Sequence, residues 1–92
     1  MLKINRHNLY SVYTVTQLED GGEHYEFTST WLSIAYVEQH LRILCNNNPD
    51  PYTFAVMSEA TETEVTRYIY DGNNHLTEWG VHDQEEHDPL KD

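Results

Sequence analysis

Residues 9–28, which read LYSVYTVTQLEDGGEHYEFT, predict a β-hairpin and with it the fold of the chain. The first half of this stretch is rich in β-branched and aromatic side chains, as is typical of a strand. The Gly21-Gly22 pair can adopt positive φ angles without steric cost, so the turn is expected there. The return strand is expected over residues 24–28, where polar and apolar side chains alternate.

A helix is expected to follow over residues 31–45, with Thr28-Ser29-Thr30 offering its N-cap and Asn46-Asn47-Asn48-Pro49 ending it. Apolar residues recur at helical spacing and predict the buried stripe of this helix: Ile34, Val37, Leu41 and Leu44. Three further apolar side chains either flank the buried arc or form a contact patch: Leu32, Tyr36 and Ile43.

Three more strands are expected over residues 52–58, 63–70 and 75–81. The predicted fold class is therefore α+β, a ββαβββ antiparallel sheet with one helix packed across one face. Residues 1–81 would form this single domain, and the acidic, histidine-containing residues 82–92 would form a disordered tail.

A single helix can cover only one face of the sheet, so the other face is expected to be exposed or to bind a partner. Strand alternation places Tyr25 and Phe27 on one face of the return strand and Glu26 on the other. Four aromatic and acidic residues are expected to share the open face: Glu26, Glu64, Tyr68 and Tyr70.

Charge is the strongest functional signal in the composition. The chain has 16 Asp and Glu against 5 Lys and Arg, a formal net charge of −11 on 92 residues. Such a field repels nucleic acids and anionic membranes and steers basic protein surfaces into contact. The alternative interpretation is that the acidity only keeps a small domain soluble.

The sequence lacks the motifs of the common catalytic and cofactor sites. It has no glycine-rich phosphate loop, and its one cysteine, Cys45, permits neither an internal disulfide nor a paired-cysteine zinc site. Cys45 is interpreted as a small buried apolar residue rather than a nucleophile. We expect no enzyme activity, no catalytic residues and no cofactor.

The histidines near the C-terminus pose the one metal question. His75, His82 and His87 lie among acids and could ligate a divalent ion, but no rigid i,i+4 pair is present. We therefore expect no metal site. The absence of a signal peptide and of a membrane-spanning apolar run favours a cytoplasmic protein.

The remaining class of function is binding to another protein. We expect a non-enzymatic inhibitor or adaptor that occupies the basic surface of a nucleic-acid-binding protein or ribonucleoprotein. The chain itself is not expected to bind DNA, RNA or membrane. Whether the two acidic groups, at the first hairpin and at the second turn, converge is left open by the sequence. The candidate partner-binding residues are acids, expected to pair with Arg and Lys, and tyrosines, expected to act as anchors: Glu19, Asp20, Glu23, Glu26, Glu62, Glu64, Tyr68 and Tyr70.

In size, acidity and α+β layout the chain is similar to phage-encoded inhibitors of bacterial defence nucleases, such as anti-CRISPR proteins and DNA mimics, although no residue motif carries the similarity. The similarity implies action in the host cytoplasm. The alternative is a small homo-oligomeric structural or assembly protein, for example a homodimer, that pairs through an exposed strand edge or the Leu32, Tyr36 and Ile43 patch.

Overall fold

The computed structural model describes residues 9–80, which form a five-stranded antiparallel sheet and one helix. The strand order is β2-β1-β3-β4-β5, so the predicted α+β fold is confirmed. The predicted tail, 82–92, lies outside the described residues. The elements are β1 (Tyr10–Gln17), β2 (Glu23–Trp31), α1 (Ile34–Cys45), β3 (Tyr52–Ser58), β4 (Thr63–Tyr70) and β5 (Leu76–Gly80).

The second strand is longer than predicted and takes over the residues expected to cap the helix. β2 continues to Trp31, which pairs with Tyr10 of β1, and a register shift between Val12 and Tyr13 lets the strand bend. The helix therefore begins three residues later than predicted. Its N-cap is Ser33, whose hydroxyl accepts a hydrogen bond from the Tyr36 amide at 3.2 Å.

The helix packs on the sheet through Val37, Leu41 and Cys45, which are all buried. The interpretation of Cys45 as a small buried residue is confirmed, whereas Leu44, predicted for the stripe, is exposed. A spacing of four residues turns successive positions by about 40°, so the buried face centres on Leu41 and position 44 lies about 60° from that centre, at the edge of the face. Asn47, at φ 57°, turns the chain after the helix as predicted.

On β4, the helix covers the face that was predicted to be open. Tyr68 and Tyr70 are 0% and 1% exposed and belong to the core with Phe54 and Val56, so their placement on the open face is wrong. Each phenol can be buried because its hydroxyl has an acceptor. Tyr68 donates to Glu78 Oε2 at 2.7 Å, and Tyr70 donates to the Asn48 carbonyl at 2.6 Å.

The open face consequently carries the alternate residues of β4, among them Arg67 and the exposed Ile69. The irregularity between Val56 and Met57 resets the alternation, so that Glu64, opposite Met57, also faces this side.

The sheet splits at one end. The ladder between β1 and β3 ends at Thr14 and Phe54, whereas the pairing of β1 with β2 continues to Gln17 and Glu23. We call residues 15–25 the hairpin arm. In a flat sheet, Glu23 would lie about 14 Å across and about 13 Å along the strands from Arg67 of β4. The two side chains are in contact, so the arm curves over the open face.

Candidate functional site

Arg67 is the residue that holds the hairpin arm against the open face. Its guanidinium contacts Glu23 at 3.0 Å and Glu64 at 2.8 Å, and it also donates to the Tyr25 hydroxyl at 3.1 Å. Tyr25 in turn donates to Glu23 Oε1 at 2.6 Å, and Gln17 donates to Glu23 Oε2 at 2.9 Å. We call Arg67 and its three partners, Glu23, Tyr25 and Glu64, the Arg67 clamp.

The clamp stabilises the ionised forms of Glu23 and Arg67 and the neutral form of Tyr25. The hydrogen bonds from Arg67 and Tyr25 lower the pKa of Glu23 to about 2. The carboxylates of Glu64 and Glu23 raise the pKa of Arg67, and the bond to Glu23 raises the pKa of Tyr25. By formal charge, the two carboxylates and one guanidinium of the clamp give it a net charge of −1.

Three aromatic rings lie side by side on the open face, one of them contributed by the arm. Tyr13 of β1 meets Tyr25 and Phe27 of β2 edge-to-face, with ring centroids 6.5 Å and 5.7 Å apart. Tyr25 and Phe27 are exposed, because the helix covers the other face of the sheet. The aromatic surface expected of a binding face is therefore present, but different residues form it.

A groove of about 610 Å³ runs between the rings of Tyr13 and Tyr25 and the turn that joins β3 to β4. The Ser11 hydroxyl donates to Glu59 Oε1 at 2.6 Å, which fixes the position of this carboxylate in the lining of the groove. We call this groove the Tyr–Glu groove. Its lining combines two phenol rings, a thioether, two hydroxyl groups and three carboxylates: Tyr13, Tyr25, Met57, Ser58, Glu59, Glu62, Thr63 and Glu64.

The predicted partner-binding residues divide into three groups. Glu23 and Glu64 are engaged by Arg67, and Tyr68 and Tyr70 are buried, so these two tyrosines are not surface anchors. The remaining four are exposed on the molecule: Glu19, Asp20, Glu26 and Glu62.

The face assigned to Glu26 also needs correction. Glu26 pairs with Thr14, whereas Phe27 pairs with Tyr13 on the open side. Strand alternation therefore puts Glu26 on the same face as the helix and away from Glu64.

The question of convergence has a definite answer for two of the acids. Glu23 of the first hairpin and Glu64 of the second β-hairpin meet at Arg67, 44 residues along the chain from Glu23. The acidic turn at Glu19 and Asp20 lies at the tip of the same arm. The acids of the first hairpin and the second turn are thus brought toward one side of the sheet, although Glu26 is not.

Arg67, Tyr13, Tyr25, Met57 and Glu59 were missed as site residues. One signal for Arg67 was available, because it is the only Lys or Arg between positions 43 and 90. A lone cation in the middle of a strand marks the face that is not core, since burying an unpaired charge is costly. That reasoning would have put Tyr68 and Tyr70 in the core.

Within residues 9–80, no three His, Cys, Asp or Glu side chains are placed to hold a metal ion. His82 and His87 lie outside the described residues, and His75 Nε2 is 3.1 Å from the Thr77 hydroxyl. Burial raises the pKa of Cys45 to about 11, so its thiol is protonated at neutral pH.

A second exposed apolar surface lies on the helix side of the molecule. Leu32, Tyr36 and Ile43 are 63%, 51% and 73% exposed, so they are not buried flanks of the helix, and their role as a contact patch stays a prediction. Within the part of the chain from 9 to 80, no helix is long and apolar enough to cross a membrane.

Comparison with known proteins adds no relative: no protein-family model, no curated protein and no solved structure matches this chain.

Proposed function

We propose that this protein is a non-enzymatic inhibitor or adaptor that acts in the cytoplasm by occupying the basic, nucleic-acid-binding surface of a partner protein or ribonucleoprotein. Its mode of action would be that of phage-encoded anti-defence inhibitors of the anti-CRISPR or DNA-mimic type. The partner would supply Lys and Arg side chains, and this chain would supply carboxylates and exposed aromatic rings.

The observation that carries the proposal is the concentration of negative charge on the folded part of the chain. Residues 9–80 contain eleven Asp and Glu but only two Arg and no Lys, a formal net charge of −9. Arg67 is enclosed by two of these carboxylates, which leaves the surface around the clamp negative. A field of this sign accelerates encounter with basic surfaces and opposes encounter with nucleic acid.

A salt-stepped pull-down tests the proposal. Tagged protein is incubated with lysate, washed at rising salt, and the eluate is read by mass spectrometry and for nucleic acid. We expect a nucleic-acid-binding protein or ribonucleoprotein to elute as salt rises. Recovery of the protein alone, resistant to salt, would contradict the proposal.

Charge variants then test the mechanism with the recovered partner. We expect Glu19→Gln/Asp20→Asn and Glu26→Gln/Glu62→Gln each to slow association by at least about threefold at low salt and to flatten its salt dependence. These four acids are exposed and lie outside the Arg67 clamp.

The matched control, Ala35→Lys/Gln39→Lys, changes the net charge by the same amount on the exposed side of the helix. An equal effect of the control and both acid variants would mean that only the net charge matters. Unchanged association in both acid variants would refute the mechanism.

A second candidate function, a homo-oligomeric assembly protein, is favoured by the exposed Leu32, Tyr36 and Ile43 patch. On this alternative the acidity serves only solubility. Sedimentation would detect a dimer that persists at high salt and dissociates in the Tyr36→Glu variant. A strict monomer at all salt concentrations would remove this candidate.

A further inference from the structure

We propose that the Tyr–Glu groove is the docking point for an arginine side chain of the protein partner. This inference rests on the proposed function and deepens it, because it names the place and the chemical group through which the partner is held. The groove has about 610 Å³ of space, more than one guanidinium and its aliphatic stem require.

The lining of the groove matches the two halves of an arginine side chain. Tyr13, Tyr25 and Met57 offer apolar and π surface on which the aliphatic stem and the flat face of a guanidinium can pack. Glu59 and Glu62 offer carboxylates at the groove wall, and each carboxylate can accept a pair of N–H groups from the guanidinium.

The protein already binds one arginine through two residues that also line the groove. Arg67 contacts Glu64 and the hydroxyl of Tyr25, and both of these residues also line the groove. Because Glu23 and Glu64 together outweigh the charge of Arg67, the clamp does not repel a second cation. Arg67 bonds to Glu23, Glu64 and Tyr25, so the carboxylates on the turn, Glu59 and Glu62, add two further negative charges.

Arginine suits this lining better than lysine does. A guanidinium is planar, weakly hydrated and able to bind carboxylates bidentately while stacking on an aromatic ring. An ammonium is compact and strongly hydrated, so it gains less from the phenol rings and the thioether. Arginine is also the cation most enriched at protein interfaces.

The groove contains a convenient reporter. The chain has two methionines, and Met57 lines the groove while Met1 lies outside the described residues. With ¹³C-methyl methionine in the full-length protein, two methyl signals are expected, and Met57→Leu identifies which is which. The probes are blocked Gly-Arg-Gly, Gly-Lys-Gly and the uncharged Gly-citrulline-Gly tripeptides at low salt.

We expect Gly-Arg-Gly to shift the Met57 methyl signal saturably, with Gly-Lys-Gly at least about threefold weaker and Gly-citrulline-Gly without effect. Glu59→Gln/Glu62→Gln should weaken the arginine peptide at least about fivefold. Its matched control, Ala35→Lys/Gln39→Lys, changes the net charge by the same amount on the exposed side of the helix and should weaken it less than about twofold.

Three outcomes would overturn the assignment: no shift of Met57, equal weakening in the two double variants, or lysine binding as well as arginine. The Gln side chain at position 59 retains an oxygen acceptor for Ser11, and unchanged thermal unfolding verifies that the variant folds. If the groove fails while the salt-stepped pull-down still recovers a basic partner, the proposed function stands without it. If no basic partner is recovered and Met57 does not shift, both are refuted.

Discussion

Gly72 is the residue at which backbone conformation and close packing coincide. It has φ +82°, and a Cβ added there would lie 2.8 Å from the Pro49 carbonyl oxygen. The β4–β5 turn therefore presses directly on the loop that follows the helix. Tyr70 ties the same two segments, because its hydroxyl donates to the Asn48 carbonyl and accepts from the Asn74 amide at 3.2 Å.

We expect Gly72→Ala to lower the free energy of unfolding by at least about 2 kcal/mol, because it adds a backbone clash to the cost of positive φ. Gly21→Ala is the matched control, since Gly21 has φ +92° with nothing within 4 Å of an added Cβ. It should cost about 1 kcal/mol. If chemical unfolding shows equal losses of unfolding free energy in the two variants, the backbone at Pro49 moves away from the added Cβ without a free-energy cost.

At the scale of elements, the hairpin arm depends on the ionisation of Glu23. The folded pKa of this group is about 2, against an ordinary value of 4.5. A lowered pKa means that the stabilisation is fully present above about pH 4.5 and is lost as the pH falls toward 2. The arm should therefore be held progressively less tightly as the pH falls from about 4.5 toward 2.

We expect wild type to be more stable than Glu23→Gln at pH 6 and the difference to shrink toward zero near pH 2. The measurement is the denaturant midpoint of both proteins across this range. In an Arg67→Met background most of this pH dependence should disappear, because Arg67 is the largest cause of the lowered pKa. A difference that is constant with pH would show that the clamp does not stabilise the folded state.

Local patterns predicted the elements well. The bounds of β3 and β4 agree with the expected residues 52–58 and 63–70, and the turn at Gly21 forms as predicted. The faces were harder, because alternation places residues on two sides without saying which side the helix covers. Tyr68 and Tyr70 could enter the core only because Glu78 and Asn48 accept their hydroxyl hydrogens, and these partners are not local in sequence.

At the scale of the whole molecule, the net charge could be predicted from composition, but the positions of the charged groups on the surface could not. The hairpin arm curves over the open face and is held there by the contact between Glu23 and Arg67. These residues are 44 positions apart in the chain, and no local sequence pattern predicts such a contact. The Tyr–Glu groove brings together residues from β1, β2 and the β3–β4 hairpin, so it could not be predicted either. The sequence supported an acidic binding protein, and the groove gives that hypothesis a specific place to be tested.

Because β3 pairs with β1 only as far as Thr14, we expect the hairpin arm to open as a separate unit. Opening the arm breaks the Arg67 clamp and the contacts beneath it, but leaves the ladder from Tyr10 to Thr14 intact. Such a local opening requires less free energy than global unfolding. Amide hydrogens in residues 15–17 would then exchange with solvent faster than those of β3 and β4, and a ligand seated in the groove would slow their exchange by holding the arm closed.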